Sequence, residues 1–263
     1  MKLNNIDLYY EVQGKGDPIV LIAGYTCDHT FWDAMVPALA RKFQVVTFDN
    51  RGIGRTKDGG KPFSVKDMAK DTAALIKHLK LGRPAIIGQS MGGAIAQTML
   101  AQFPEVCGRC VILNSTAVFR QAALMALESL LALRHAGVDF DHLVDATLPW
   151  VAGSEWLTQS ENIAAFKTLL KENPVPQSAA DQARQLAALK PFDAQPWNKP
   201  WSHPSLVVSA SEDVLALPTE GRALAKSLGA KFVEIPGGHG SPVEQTERLS
   251  RILIEFLQST PKG

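Results

Sequence analysis

Cysteine is scarce in this chain: three among 263 residues, an odd number and too few for a disulfide framework. Such usage fits a reducing compartment. Long apolar runs are missing too. No stretch approaches the roughly 20 apolar residues of a membrane span. Residues 1–10 are interrupted by Lys2, Asn4, Asn5 and Asp7, unlike the apolar segment of a signal peptide. The expected location is therefore cytoplasmic, with no membrane partner. An excess of one charge is also lacking, since 27 Lys and Arg face 26 Asp and Glu, for a net +1. Nothing in that balance draws the chain to nucleic acid or an anionic surface, which leaves small molecules as the expected partners and the oligomeric state open.

The two cysteines spaced as CxxC, Cys107 and Cys110, do not suit redox work. A reactive pair places its first thiol at the start of a helix that follows a strand, where the thiolate is stabilised. Here the pair follows a helix-like stretch and leads into a strand at 111–114. A zinc site needs more ligands than one pair supplies. Neither a metal nor a cofactor is expected.

What is present is an ordinary globular composition, 46% hydrophobic and 20% charged, with length for one large domain or a core carrying an insertion. After an opening hairpin (Leu3, Ile6, Leu8, Tyr10, Val12, turning at 14–18), apolar runs at 19–23, 45–48, 84–87, 111–113, 206–209 and 232–235 read as strands. Helical patterns alternate with them at 32–41, 65–79, 91–103, 219–228 and 244–257. Continuous Val, Ile and Leu strands separated by amphipathic helices predict an α/β fold, a mostly parallel sheet covered on both faces. The alternation stops between 118 and 199, where helical periods recur at 122–135, 142–150, 161–172 and 179–189. This pattern predicts a core formed by 1–117 and 200–263, with 118–199 as a helical lid over the carboxyl ends of the strands. A small second helical domain is the alternative.

Ser90 lies in Gly88, Gln89, Ser90, Met91, Gly92, between a strand-like and a helix-like run. Such a turn lifts the serine hydroxyl clear of the sheet, and the glycines let strand and helix approach closely. A serine hydroxyl needs a base, and the base needs a third group to orient it. Downstream, the strand at 206–209 leads into Glu212 and Asp213, and the last strand leads into Gly238 and His239. Acid and histidine thus fall in loops at the same sheet edge as Ser90, in the order Ser, Asp, His.

Together with Gly24 followed by Phe31 and Trp32, the run from Asp49 to Gly54, and Pro218 after the acid loop, these residues resemble the α/β-hydrolase superfamily over nearly the whole chain. The likeness is to small bacterial carboxylesterases and enol-lactone hydrolases. The resemblance implies Ser90 as nucleophile, His239 as general base and then acid, and Asp213 as the residue orienting it, with Glu212 as the rival acid and otherwise a solvated charge. It implies an oxyanion hole from the backbone N–H groups of Tyr25 and Met91. The histidine common before the oxyanion glycine is Ala23 here. His29, five residues after Gly24, is a candidate to touch substrate, whereas His78, His135, His142 and His203 read as surface residues. Arg51 with Asp49 reads as a loop-fixing pair.

The implied reaction is hydrolysis of a carboxylic ester or lactone of a small, partly apolar substrate through an acyl-enzyme. Phe119, Leu124 and Trp150 are expected to form an apolar wall. A triad-dependent lyase or carbon–carbon bond hydrolase is the alternative, since fold does not fix chemistry. A non-catalytic receptor would have no need of all three residues. An esterase for acyl chains on an acidic carrier protein would want a basic lid, but 118–199 carries seven Lys and Arg against nine Asp and Glu.

Overall fold

The computed structural model describes residues 1–259. Nine strands form in chain order: β1 (Lys2–Leu3), β2 (Ile6–Asp7), β3 (Tyr10–Gln13), β4 (Asp17–Ile22), β5 (Phe43–Phe48), β6 (Ala85–Gln89), β7 (Cys110–Leu113), β8 (Ser205–Ala210) and β9 (Lys231–Ile235). β1 and β2 make a separate two-stranded sheet, and the other seven make one sheet in the order β3-β5-β4-β6-β7-β8-β9. Every pairing in that sheet is parallel except β3 with β5.

Apolar residues alternate between the two faces of the central strands. Val20, Ile22, Ile86, Ile112 and Val207 enter one core cluster, while Ile19, Leu21, Ile87, Val111 and Leu206 enter the other. Both faces need cover, and helices supply it. α1 (Val36–Ala40) and α11 (Thr246–Gln258) cover one face; α2 (Val65–His78), α3 (Met91–Gln102) and α9 (Pro218–Leu228) cover the other. α2 begins with a reciprocal cap, the Ser64 hydroxyl accepting from Asp67 N–H (3.2 Å) and the Asp67 carboxylate from Ser64 N–H (2.9 Å). α3 is buried from Met91 to Leu100, so it cannot be amphipathic; it lies between the sheet and the chain above it.

Between β7 and β8 the chain forms α4 (Gln121–His135), α5 (Phe140–Val151), α6 (Ser154–Leu157), α7 (Ser160–Lys171) and α8 (Ala179–Leu189), with no strand among them. Because β4, β6, β7, β8 and β9 run parallel, their carboxyl ends meet at one edge, and the loops that follow them converge.

Three elements differ from the sequence reading. The opening hairpin does not continue from β3 into β4; β3 pairs antiparallel with β5, Tyr10 opposite Phe48, and β4 sits on the far side of β5. The turn at 14–18 is thus a crossover, which lets β4 take a central place. The last helix is also broken. A short α10 (Ser241–Glu244) ends at Gln245, whose backbone leaves helical geometry (φ −122°, ψ 33°), before α11 resumes. The Glu244 carboxylate turns back there to accept from the N–H groups of Gly153 and Gly238. Similarly, the span 32–41 divides into a single 3-10 turn at His29–Trp32 and the short α1, with Pro37 in the first turn of α1.

Candidate active site

Ser90 occupies the turn between β6 and α3 with φ 54° and ψ −117°, a conformation rare for a residue with a side chain. Neighbouring glycines allow it. A Cβ at position 88 would stand 2.1 Å from the Gly92 carbonyl oxygen, and one at 92 would stand 2.1 Å from that of Ile22. Strand and helix therefore touch backbone to backbone beneath the serine. Ser90 N–H donates to Leu113 C=O (2.9 Å), and the Ser115 hydroxyl donates to Ser90 C=O (2.8 Å).

His239, in the loop after β9, places Nε2 2.8 Å from Ser90 Oγ. Its Nδ1 lies 2.8 Å from Asp213 Oδ2, in the loop after β8. The other carboxylate oxygen, Asp213 Oδ1, accepts from the N–H groups of Leu215 (2.8 Å) and Ala216 (2.9 Å). All three are buried, Ser90 and His239 7% exposed and Asp213 2%. Three residues from three strand ends thus form one hydrogen-bonded chain, with the acid's lone pairs fixed by its own loop.

Glu212 is outside that chain, and it is not a free loop charge either. It accepts from Ser154 N–H (2.9 Å), which holds its carboxyl below the ordinary value. The β8 loop is thereby tied to α6. A second tie lies beside it: Glu244 accepts from Gly153 and Gly238, and Gly240 N–H donates to Val151 C=O at 2.6 Å. Burial pushes the Glu244 carboxyl up, while these two N–H groups oppose the shift. The histidine loop and the turn after α5 consequently pack as a unit.

Tyr25 and Met91 flank Ser90. A Cβ on Gly24 would lie 3.1 Å from the Ser90 Cβ, so the chain leaving β4 passes directly beside the serine. Among the described residues neither Tyr25 N–H nor Met91 N–H donates to a protein acceptor, and Met91 stands at the N-terminus of α3, where the helix dipole favours negative charge. Phe119 and Leu124 join the same apolar cluster as Met91, with the Tyr25 ring packed against it. Trp150 does not join them. It is 38% exposed because α5 turns Val144 and Leu148 inward and leaves position 150 on the opposite side.

His29 makes its hydrogen bonds with other residues. Its Nδ1 lies 2.7 Å from Asp49 Oδ1, which also accepts the His29 N–H (2.8 Å), and its ring tilts against Tyr9 at 4.9 Å. The hydrogen bond to Asp49 holds the imidazole above its ordinary pKa, against the effect of burial. Asp49 therefore does not pair with Arg51. Its second oxygen accepts from Arg55 N–H (2.7 Å), while Arg51 swings to Asp71, with Nε 2.5 Å and a terminal nitrogen 3.0 Å from its oxygens.

Among the described residues Asp28, His29 and Asp49 form a trio of possible metal ligands, with ligand atoms within 4.8 Å of one another. Hydrogen bonds occupy them: Asp28 accepts from Thr30 N–H (2.9 Å) and from Asn173 (3.1 Å), and Asp49 is filled as described. Cys107 and Cys110 are buried free thiols. Burial pushes the Cys107 thiol up to about 12 and raises that of Cys110 as well, so neither is a ready thiolate.

Two polar residues that the sequence did not single out hold the site together. Asn114, after β7, has φ 45° and is fully buried. Its amide donates to His239 C=O (2.8 Å) and lies 2.7 Å from Ser241 Oγ, and its Oδ1 accepts from Ala210 N–H (2.9 Å). Gln89 adds a second donor to His239 C=O (3.1 Å). An Asn directly after an apolar strand, in a chain whose parallel strands end at one edge of the sheet, is the signal that could have marked the first.

Known proteins share this architecture. BpoC of Mycobacterium tuberculosis, which bears the name of a candidate non-heme bromoperoxidase, is 29% identical over 259 residues, covering 97% of this chain and 98% of that one. Its crystal structure superposes with a TM-score of 0.86, at 28% identity over 95% of each chain. RutD of Serratia proteamaculans, named as a candidate carbamate hydrolase, is 29% identical over 270 residues, 96% of this chain and 97% of that one. A thermophilic esterase from Thermogutta terrifontis matches with a TM-score of 0.83 and 25% identity, over 96% of this chain and 93% of its own. No helix among the described residues is long and apolar enough to cross a membrane. The family model described as alpha/beta hydrolase fold matches residues 17–245, and with the sheet order and the Ser90 turn in place this chain belongs to the α/β-hydrolase superfamily.

Proposed function

We propose that this chain is a serine hydrolase that cleaves a carboxylic ester or lactone of a small, partly apolar substrate through an acyl-enzyme. The observation that carries the reading is the continuous chain Ser90 Oγ, His239, Asp213, with both links at 2.8 Å. In this mechanism His239 Nε2 takes the serine proton as Oγ attacks the carbonyl carbon, and Asp213 holds the proton on Nδ1 and stabilises the imidazolium. The oxyanion forms between the N–H groups of Tyr25 and Met91. His239 then protonates the leaving alcohol, and water enters by the reverse sequence to release the acid. The proposed chemistry calls on no metal, cofactor or nucleic acid. Localisation in the cytoplasm belongs to the same proposal.

The helices of 118–199 act in this reading as a lid. Ser90 and His239 lie nearly shut beneath the chain, and the apolar cluster of Phe119, Leu124 and Met91 favours an apolar acyl or alcohol group. Exclusion of water there strengthens the oxyanion contacts.

The test is turnover of short and medium acyl p-nitrophenyl esters, a lactone and a carbamate by wild type and Ser90→Ala, with mass spectrometry after a serine-reactive phosphonate. Ester or lactone turnover, loss of at least about 10³-fold in the variant and label on Ser90 are expected. Label on another residue, or activity that survives the substitution, overturns the mechanism. Turnover confined to the carbamate overturns the substrate class.

A further inference from the structure

The turn that carries the Tyr25 N–H is strained, and one side chain from α8 holds it. Cys27 N–H donates to Gly24 C=O at 3.3 Å, closing a four-residue turn over Gly24, Tyr25, Thr26 and Cys27. Thr26, at its third position, has φ +63°, while Tyr25 keeps a negative φ. That combination defines a type II turn, whose third position favours glycine. A β-branched residue there is an outlier. A type I turn would relax Thr26 to negative φ, and the two differ by a flip of the Tyr25–Thr26 peptide.

Gln185 opposes that flip. It is completely buried, and its Oε1 accepts from Thr26 N–H at 3.1 Å. The orientation of its amide is set by its neighbours: Nε2 donates to Arg51 C=O (2.8 Å), and Oε1 also accepts from Gln177 Nε2 (2.9 Å). Gln177 in turn donates to Gly52 C=O (2.6 Å). Arg51 and Gly52 offer only carbonyl oxygens, so the direction of the relay is fixed and an oxygen must face Thr26. A flipped peptide would turn the Tyr25 carbonyl toward that oxygen and strand it.

We infer that Gln185 is a positioning residue for the oxyanion hole: by accepting from Thr26 N–H it fixes the Tyr25–Thr26 peptide, and so anchors the Tyr25 Cα from which the N–H of the preceding peptide is presented beside Ser90. The assignment rests on the hydrolase reading for its kinetic consequence but not for its structural one. Through Gln185, α8 of the helical insertion takes part in building a donor that belongs to the core.

The experiment compares wild type, Gln185→Met, which keeps volume without the acceptor, and the double variant Gln185→Met with Thr26→Gly, in which the type II turn no longer needs a lock. Amide hydrogen exchange of residues 24–27 and p-nitrophenyl ester kinetics are measured on each, with Gln185→Ala taking the place of Gln185→Met if the latter does not fold. Exchange at the turn should rise at least about 10-fold in the single variant. Its kcat should fall about 10-fold with KM within about twofold, less than the ~10²–10³ of losing an oxyanion donor outright. Thr26→Gly should return most of the lost kcat. Unchanged exchange at the turn, a change confined to KM, or a kcat deficit that Thr26→Gly does not restore overturns the inference. If wild type turns over no ester, the hydrolase reading fails by itself, and the exchange comparison still decides whether Gln185 locks the turn.

Discussion

Removing the Asn114 amide should loosen the histidine loop and the sheet at once. Asn114→Ala loses the donor to His239 C=O (2.8 Å), the contact with Ser241 Oγ (2.7 Å) and the acceptor for Ala210 N–H (2.9 Å). The His239 carbonyl keeps Gln89, but the Ala210 N–H has only Asn114 in place of a strand partner and is stranded in the core. At about 1 kcal/mol net for each lost bond and a further 1–3 kcal/mol for a buried unsatisfied donor, the loss of stability is about 4–6 kcal/mol. For a chain of this size that lowers Tm by roughly 8–24 °C. His239 would also lose one of two restraints on its backbone, so kcat should fall by about 10–100-fold in the protein that remains folded. Urea unfolding followed by circular dichroism gives the first quantity, and ester turnover at saturating substrate gives the second. Asn114→Gly separates the backbone: it accepts φ 45° without strain yet lacks the amide, so it should recover little. A cost below about 1 kcal/mol in Asn114→Ala with kcat unchanged, or full recovery by Asn114→Gly, would refute the assignment of these bonds as supports of the site.

The His29–Asp49 contact should make stability depend on pH. Because the bond to Asp49 raises the folded-state pKa of His29, its contribution is fully present below the ordinary value near about 6.5 and is lost as pH rises through the higher folded value. The urea midpoint of His29→Gln should therefore fall further below wild type at about pH 5.5 than at about pH 9, and a gap independent of pH would contradict this. Glycine substitutions should divide by contact. Gly88→Ala places Cβ 2.1 Å from a backbone oxygen of α3 and should cost at least about 3 kcal/mol. Gly59→Ala has φ +73° but meets nothing within 4 Å, so it should cost about 1–2 kcal/mol; equal losses of Tm would count against the backbone contact beneath Ser90.

Much of the sheet was legible because a strand covered on both faces must be mostly apolar, and the central runs ending in Ile22, Gln89, Leu113 and Ala210 carry that mark. Ser90 was legible because its turn needs small residues at fixed local spacing. The supports of the site were not. Asn114, Gln185 and Glu244 act across 91 to 159 residues of sequence, and no local period announces a side chain whose partners are backbone groups of distant loops. Proximity in sequence also misled: Arg51 stands two residues from Asp49 but reaches Asp71, while Asp49 is filled by the backbone N–H groups of His29 and Arg55 and by the His29 ring. The opening hairpin failed on the same ground, because alternation marks a strand without naming its neighbour.

The clasp between Gly153 and the histidine loop sets a rule for recombining this protein with its relatives. A Cβ at 153 would sit 2.8 Å from a Glu244 oxygen, 2.9 Å from Gly237 and 2.9 Å from Gly238 N, so the position admits no other side chain while the clasp is closed. The glycine is supplied by the insertion and the carboxylate by the core, and neither works without the other. A hybrid that imports a foreign segment between β7 and β8 keeps the Glu244 half of this clasp and loses Gly153 unless the import brings a glycine of its own. Crossover points for such hybrids should therefore be judged by whether glycine and glutamate arrive together, and libraries that randomise the helices between β7 and β8 should leave both positions untouched.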